Sequence, residues 1–339
     1  MNNINKLLYL LFIVLCWSCT HNSKTEKYQN KRDSVVHVRK KVTEIVIPEN
    51  EVLLGILPNL YIIDNYLIIS DSRSDGKLIH VFNKHTFNYV ISLAERGQGP
   101  GEIANIGHIA SDEVHRKFYV SDHGKQAIFS YDLDSVLTNP LYMPEVKIKM
   151  DKGLFPDRYQ YINDTLSYCR IIEPIGNASF QDGVGLLNMN TGEIKRIKNK
   201  HSNLEKNRIT IAVSIENGIY VEASYSYDLL TICNLDGDLK YNIYGPNWNS
   251  IRDMKSHYGK VVFIKNKICA SCAQGDFQTN EYIPTKFLVF DINGNYIQTI
   301  ETGYWITDYC YDEGNNRIIM CLNDAEIQFA YLDLNGIIK

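Results

Sequence analysis

The chain reads as an all-β protein, a six-bladed β-propeller of four-stranded antiparallel blades, and three observations predict it. Paired hairpin signals recur at a near-constant interval, no ten-residue stretch sustains a 3.6-residue apolar period, and 23 tyrosines tilt the composition towards strands. The repeat is anchored by an Asp or Asn that follows an apolar pair. These anchors are Asn83, Asp132, Asn188, Asn234, Asp291 and Asp333, with steps of 49, 56, 46, 57 and 42 residues. Gly192, Gly237, Gly294 and Gly336 follow four of them. An Asx side chain bonds its own backbone two residues on and glycine takes a positive φ, so each anchor predicts a hairpin turn. Turn formers such as Asp64-Asn65, Asn163-Asp164, Asn217-Gly218 and Asn315-Asn316 mark a second hairpin ahead of the anchor. Two hairpins per unit make one blade, and six anchors make six blades. The rival arrangement, a β-sandwich pair or solenoid, seldom yields six units of such even length.

Along the chain, the first element is a secretory signal over residues 1–18. It has one basic residue, Lys6, and an apolar run from Leu7 to Leu15, too short to span a bilayer. Cleavage after Ser18 makes Cys19 the first residue. Cys16-Trp17-Ser18-Cys19 resembles the lipobox of bacterial lipoproteins, which implies lipidation of Cys19, although Cys16 and Trp17 depart from the usual upstream residues. Residues 19–41 hold Lys24, Lys27, Lys31, Arg32, Arg39, Lys40 and Lys41 and few large apolar side chains. They are expected to form a disordered tether whose basic character suits anionic headgroups. Residues 42–339 make the propeller. Val42–Ile47 is strand-like yet belongs to no repeat, and only three residues follow Asn335-Gly336. The spare strand is therefore expected to complete the last blade and close the ring, which removes an exposed edge.

Between the first two blades lies Glu95-Arg96-Gly97-Gln98-Gly99-Pro100-Gly101-Glu102. A Gly-x-Gly-Pro-Gly-Glu segment at this place, behind a lipobox, resembles the TolB-like six-bladed β-propeller lipoproteins. The resemblance implies an envelope lipoprotein of a family mostly without assigned activity. Mechanically, the glycines and proline allow tight turns at a blade crossing. Functionally, Arg96 and Glu102 flank backbone N–H groups of Gly99 and Gly101, where a ligand would sit beside the channel mouth. The Lys-Ser/Thr pair of a phosphate loop is missing.

The remaining candidates are scattered. Asp71 and Asp122 end equivalent strands, which puts both near one end of the channel. The later blades carry Arg170, Ala223, Cys272 and Leu322 there, so no ring of acids forms. His108 follows the glycine loop and is expected to face the channel, with no nucleophile paired to it. Cys269 and Cys272 lie three apart on one strand and point to opposite faces, unsuited to sharing a metal. Cys310 and Cys321 fall nearly opposite each other across a hairpin and are candidates for a cross-strand disulfide. The net charge of −4 carries no basic footprint for nucleic acid. No catalytic residue, metal site or cofactor is expected. The sequence supports a binding module held to the membrane by its lipid, on the periplasmic side by family habit. It would take a protein, peptide or glycan partner through one face of the disc; the alternative is a channel-mouth hydrolase or lyase.

Overall fold

The computed structural model describes residues 24–338, except 49, 140, 151–153, 177–179, 198–207, 247, 250–254 and 277–281. The signal peptide and Cys19 lie outside the described residues. Six antiparallel sheets follow one another around an axis, over residues 59–95, 106–149, 155–196, 209–244, 255–301 and 306–333, here blades 1 to 6. Within each, the strand nearest the axis comes first in sequence. Six apolar clusters fill the wedges between adjacent blades, one per interface. A buried-sheet core of this kind needs strands apolar on both faces, which explains runs such as Ile219–Ser224 and Arg317–Leu322.

The anchor residues act as predicted. Asn83 Oδ1 accepts from the backbone N–H groups of His85 and Thr86, and Asp291 Oδ1 from those of Asn293 and Asn295. Gly192, Gly237, Gly294 and Gly336 all hold positive φ. Blade 2 is the exception: Asp132 caps a short helix, α1 (Leu133–Thr138), by accepting from Ser135 N–H at 2.8 Å. The helix accounts for the long 56-residue step that follows.

The ring closes as the sequence implies. β3 (Val42–Glu44) pairs antiparallel with Phe329–Asp333 of blade 6, and Ile45 N–H continues the ladder to Phe329. The expectation of a disordered tether is corrected from Lys24 onwards. β1 (Glu26–Tyr28) adds to blade 4 in parallel with Leu239–Tyr244, and β2 (Val35–His37) adds to blade 5 in parallel with Tyr296–Glu301. Composition hid this because the strap's partners lie 196 or more residues away, and three of its basic side chains are spent on them. Arg32 pairs with Asp228 at 2.7 Å, Lys27 Nζ donates to the Asn293 carbonyl at 2.7 Å, and Arg39 covers the Tyr304 ring. Val38 is fully buried between blades 5 and 6.

The proposed Cys310–Cys321 disulfide is also corrected. The hairpin pairs Cys310 with Ile319 and Cys321 with Asp308, so the two thiols sit two residues out of register and are free. Burial pushes both up to about 12. Cys269 and Cys272 do point apart, one into the blade 5/6 core and the other into the blade 4/5 core.

Candidate functional site

The central channel encloses about 500 Å³ and opens into a depression of about 310 Å³ on the face carrying the blade-to-blade crossings. Four side chains with cationic heads line that mouth: Arg158, Arg170, Arg208 and Lys260. Local irregularities aim several of these residues. The inner hairpins of blades 2, 3, 5 and 6 each shift register close to the mouth, around Gly107-His108, Asp157, Gly259-Lys260 and Thr307. A bulge inserts an unpaired residue and turns its side chain away from the pleat, and here it serves the axis.

Arg170 is the most constrained. It donates to the Ile209 carbonyl at 2.8 Å, pairs with Asp157, lies 3.7 Å from Asp182, and leaves its Nε buried without a partner. Lys260 Nζ sits 2.9 Å from Asp308, which also accepts from Leu60 N–H across the blade 6/1 boundary. Asp182 accepts from Ile209 N–H at 3.0 Å, and burial raises its carboxyl above the usual range. Arg208 reaches over the Tyr225 ring. Arg158 has no carboxylate within 4 Å among the described residues.

Beneath the mouth the throat is neutral. His108 lines the channel with its ring edge-on to both Tyr61 and Tyr159, and Tyr61 Oη lies 3.4 Å from its Nδ1. Burial, reinforced by the charges of Arg158, Lys260 and Arg170, holds His108 well below its ordinary value. Burial raises the Tyr61 and Tyr159 hydroxyls. His108 is thus an uncharged hydrogen-bonding group at neutral pH.

The other sequence candidates do structural work. Asp122 is fully buried and accepts from four backbone N–H groups, those of Ala104, Asn105, Gly124 and Lys125. Asp71 accepts from Gly55 and Arg73 N–H. In the glycine loop, Glu102 folds back to accept from Gly99 N–H at 2.6 Å, Arg96 donates to the Ser72 carbonyl at 2.6 Å, and Lys125 Nζ takes the Gly99 and Glu102 carbonyls. A Cβ on Gly97 would stand 1.9 Å from Glu102 Oε2, so a side chain there would push the carboxylate off the Gly99 N–H. Gly101 has φ +74°. The Arg96, Glu102, Asp71 and Asp122 side chains and the Gly99 N–H are thus engaged with the protein's own groups. Trp248 packs on Tyr28 and Tyr244, and Tyr225 lines the mouth.

Sequence reasoning missed Arg158, Arg208 and Lys260, because they come from blades 3, 4 and 5 and share no local motif. One signal was present: Gly107-His108 and Gly259-Lys260 place a glycine inside an inner strand, a mark of a bulge.

A second buried cluster resembles a Cys-His-Asp relay only in composition. Cys272 Sγ and Asp228 Oδ1 both meet His257 at Nε2, at 3.7 and 3.1 Å, whereas a relay uses both ring nitrogens. Arg32 and the Tyr258 hydroxyl complete the shell of Asp228. Burial opposes the His257 cation, but Cys272 and Asp228 outweigh it and hold the group up at about 10. An unfolded histidine loses its proton near 6.5, so the folded state binds the extra proton between pH 6.5 and about 10. Stability is expected to be fully present below pH 6.5 and to fall across that window, by at most about 1.4 kcal/mol per pH unit. Urea unfolding at stepped pH values checks this; a flat profile from pH 7 to 9 would contradict it.

Among the described residues, no group of three or more His, Cys, Asp or Glu side chains is placed to hold a metal ion. A protein family described as a 6-bladed beta-propeller matches residues 47–255. No curated protein sequence matches the chain. The solved structures it is similar to include a DUF4221-family member from Bacteroides vulgatus, at 11% identity and TM-score 0.62, covering 90% of this chain and 98% of that one. A second is the calcium-binding protein regucalcin from Agrobacterium tumefaciens, at 10% identity and TM-score 0.56, covering 88% and 95%. A third is a protein of unknown function from Bacteroides caccae, at 12% identity and TM-score 0.51, covering 80% and 90%. At these identities the likeness shows the fold alone.

Proposed function

The chain belongs to this family, DUF5128, and from that premise we propose that it is a ligand-binding propeller whose site is the channel mouth of blades 3 to 6. The observation that carries this is the convergence of unpaired or half-paired polar groups on a concave surface that continues into an aromatic throat. Recognition sites are typically concave and apolar with a few aimed polar groups. The glycan, peptide or protein partner expected from the sequence would present a small group to this depression.

The lipobox-like Cys19 supports attachment to an envelope membrane, as in TolB-like lipoproteins, with the periplasmic side favoured. The strap adds a constraint. Five Cα–Cα steps separate Cys19 from Lys24, a reach of at most about 18 Å. β1 runs parallel to the outer strand of blade 4, so Lys24 enters at the hairpin face, opposite the mouth. A lipid on Cys19 would therefore hold the disc close to the bilayer with the mouth turned away.

Two measurements test the two parts. A thermal-shift panel of sugars, organic acids and peptides is expected to give hits that vanish in Thr210→Trp, which blocks the mouth. Ligand at 100 times its dissociation constant adds about 2.7 kcal/mol. Hits that all survive the substitution would move the site elsewhere. Cys19→Ala is expected to release the protein from the membrane fraction; retention would defeat the anchor.

A further inference from the structure

Resting on the channel mouth as the ligand site, we infer that the ligand class is a monocarboxylate carrying a ring, such as an acidic sugar, with its carboxylate on Arg158 and Arg208 and its ring in the tyrosine-lined throat. The charge balance selects the anion. Arg158, Arg170, Arg208 and Lys260 face Asp157, Asp182 and Asp308, a surplus of one positive charge among the described residues. One carboxylate neutralises the mouth, whereas a phosphate dianion would leave a net negative charge in a half-enclosed site, where unbalanced charge is costly.

The pairing pattern selects the residues. Asp157 and Asp182 occupy Arg170, and Asp308 occupies Lys260. Arg158, without a carboxylate of its own, lies beside Arg170 in the strand register, and Arg208 enters from the next blade. A planar guanidinium offers parallel N–H donors that match the two oxygens of a carboxylate. Below, Tyr61 and neutral His108 give a ring face and one hydrogen-bonding edge without charge, which suits the polar rim and flat face of a sugar ring.

Calorimetric titration of the purified protein with galacturonate, glucuronate and benzoate, and with galactose and inorganic phosphate as probes, tests the class. At least one ring carboxylate is expected to bind, with galactose about 10-fold weaker or more, because an ionic hydrogen-bonded contact is lost. Arg158→Gln is expected to weaken the carboxylate by a similar factor while the melting temperature stays near wild type, since no ion pair is broken. Arg208→Gln serves as the second variant should the first fail to fold. Phosphate binding tighter than every carboxylate, galactose equal to galacturonate, or no carboxylate binding at all would overturn the ligand class. Where phosphate or galactose binds and Thr210→Trp abolishes it, the mouth survives as the site and only the class falls. Binding that both Thr210→Trp and Arg158→Gln leave untouched would remove the mouth as well.

Discussion

Deleting residues 24–41 is expected to lower the melting temperature by about 10 °C or more, although their composition is that of a solvated linker. Three losses add up. Val38 leaves the core between blades 5 and 6, which costs about 1.5–3 kcal/mol for a fully buried valine. Asp228, only 2% exposed at its side chain, loses the Arg32 guanidinium and keeps His257 and Tyr258, and breaking a buried pair costs about 3–5 kcal/mol. The outer strands of blades 4 and 5 lose their parallel partners and become open edges. For a domain of this size about 2 °C accompanies each kcal/mol. Scanning calorimetry on the deleted and intact chains reads the difference directly. Arg32→Ala is expected to reproduce about half of it, and an unchanged melting point in both would mean the strap is held only weakly.

The second large effect is expected at Asp122. Its carboxylate accepts from Ala104 and Asn105, which begin blade 2, and from Gly124 and Lys125, which turn its second hairpin. One side chain thus ties the glycine-loop crossing to the blade it enters. Asp122→Ala leaves four backbone N–H groups without that acceptor in a fully buried place. Each uncompensated buried donor costs about 1–3 kcal/mol, and partial rescue by water brings the expected total to about 3–5 kcal/mol, or 6–10 °C. Asp122→Asn keeps an oxygen acceptor and is expected to recover part of the loss. Denaturant titration of the two variants checks the order. If Asp122 instead served a ligand, its removal would weaken binding while leaving stability unchanged.

Asp122 also illustrates where sequence reasoning and structure divide. Its place at the end of a second strand was legible from the repeat, and so was its proximity to one face. Its role was not, because the deciding fact is how many backbone N–H groups surround the carboxylate, and two of the four come from a crossing loop 17 and 18 residues away. The same holds for Glu102, which closes its own loop on Gly99. His108 was read correctly as a channel residue, since a polar side chain on an inner strand after a blade crossing has few other directions open to it. The cationic mouth around it was not read, because Arg158, Arg208 and Lys260 meet only when three blades are wrapped about one axis.

What the sequence by itself determined is the repeat. Asx anchors followed by glycines set the turns, apolar strands set the interfaces, and a spare strand at residues 42–47 implied a closed ring of six blades. All of these are local preferences multiplied by six, so a single chain displays them. Only the tertiary structure decided the fate of residues 24–41, the free state of Cys310 and Cys321, and the residues that form the mouth. Each depends on partners distant in sequence or on a two-residue offset of register, and neither is recorded in composition or periodicity.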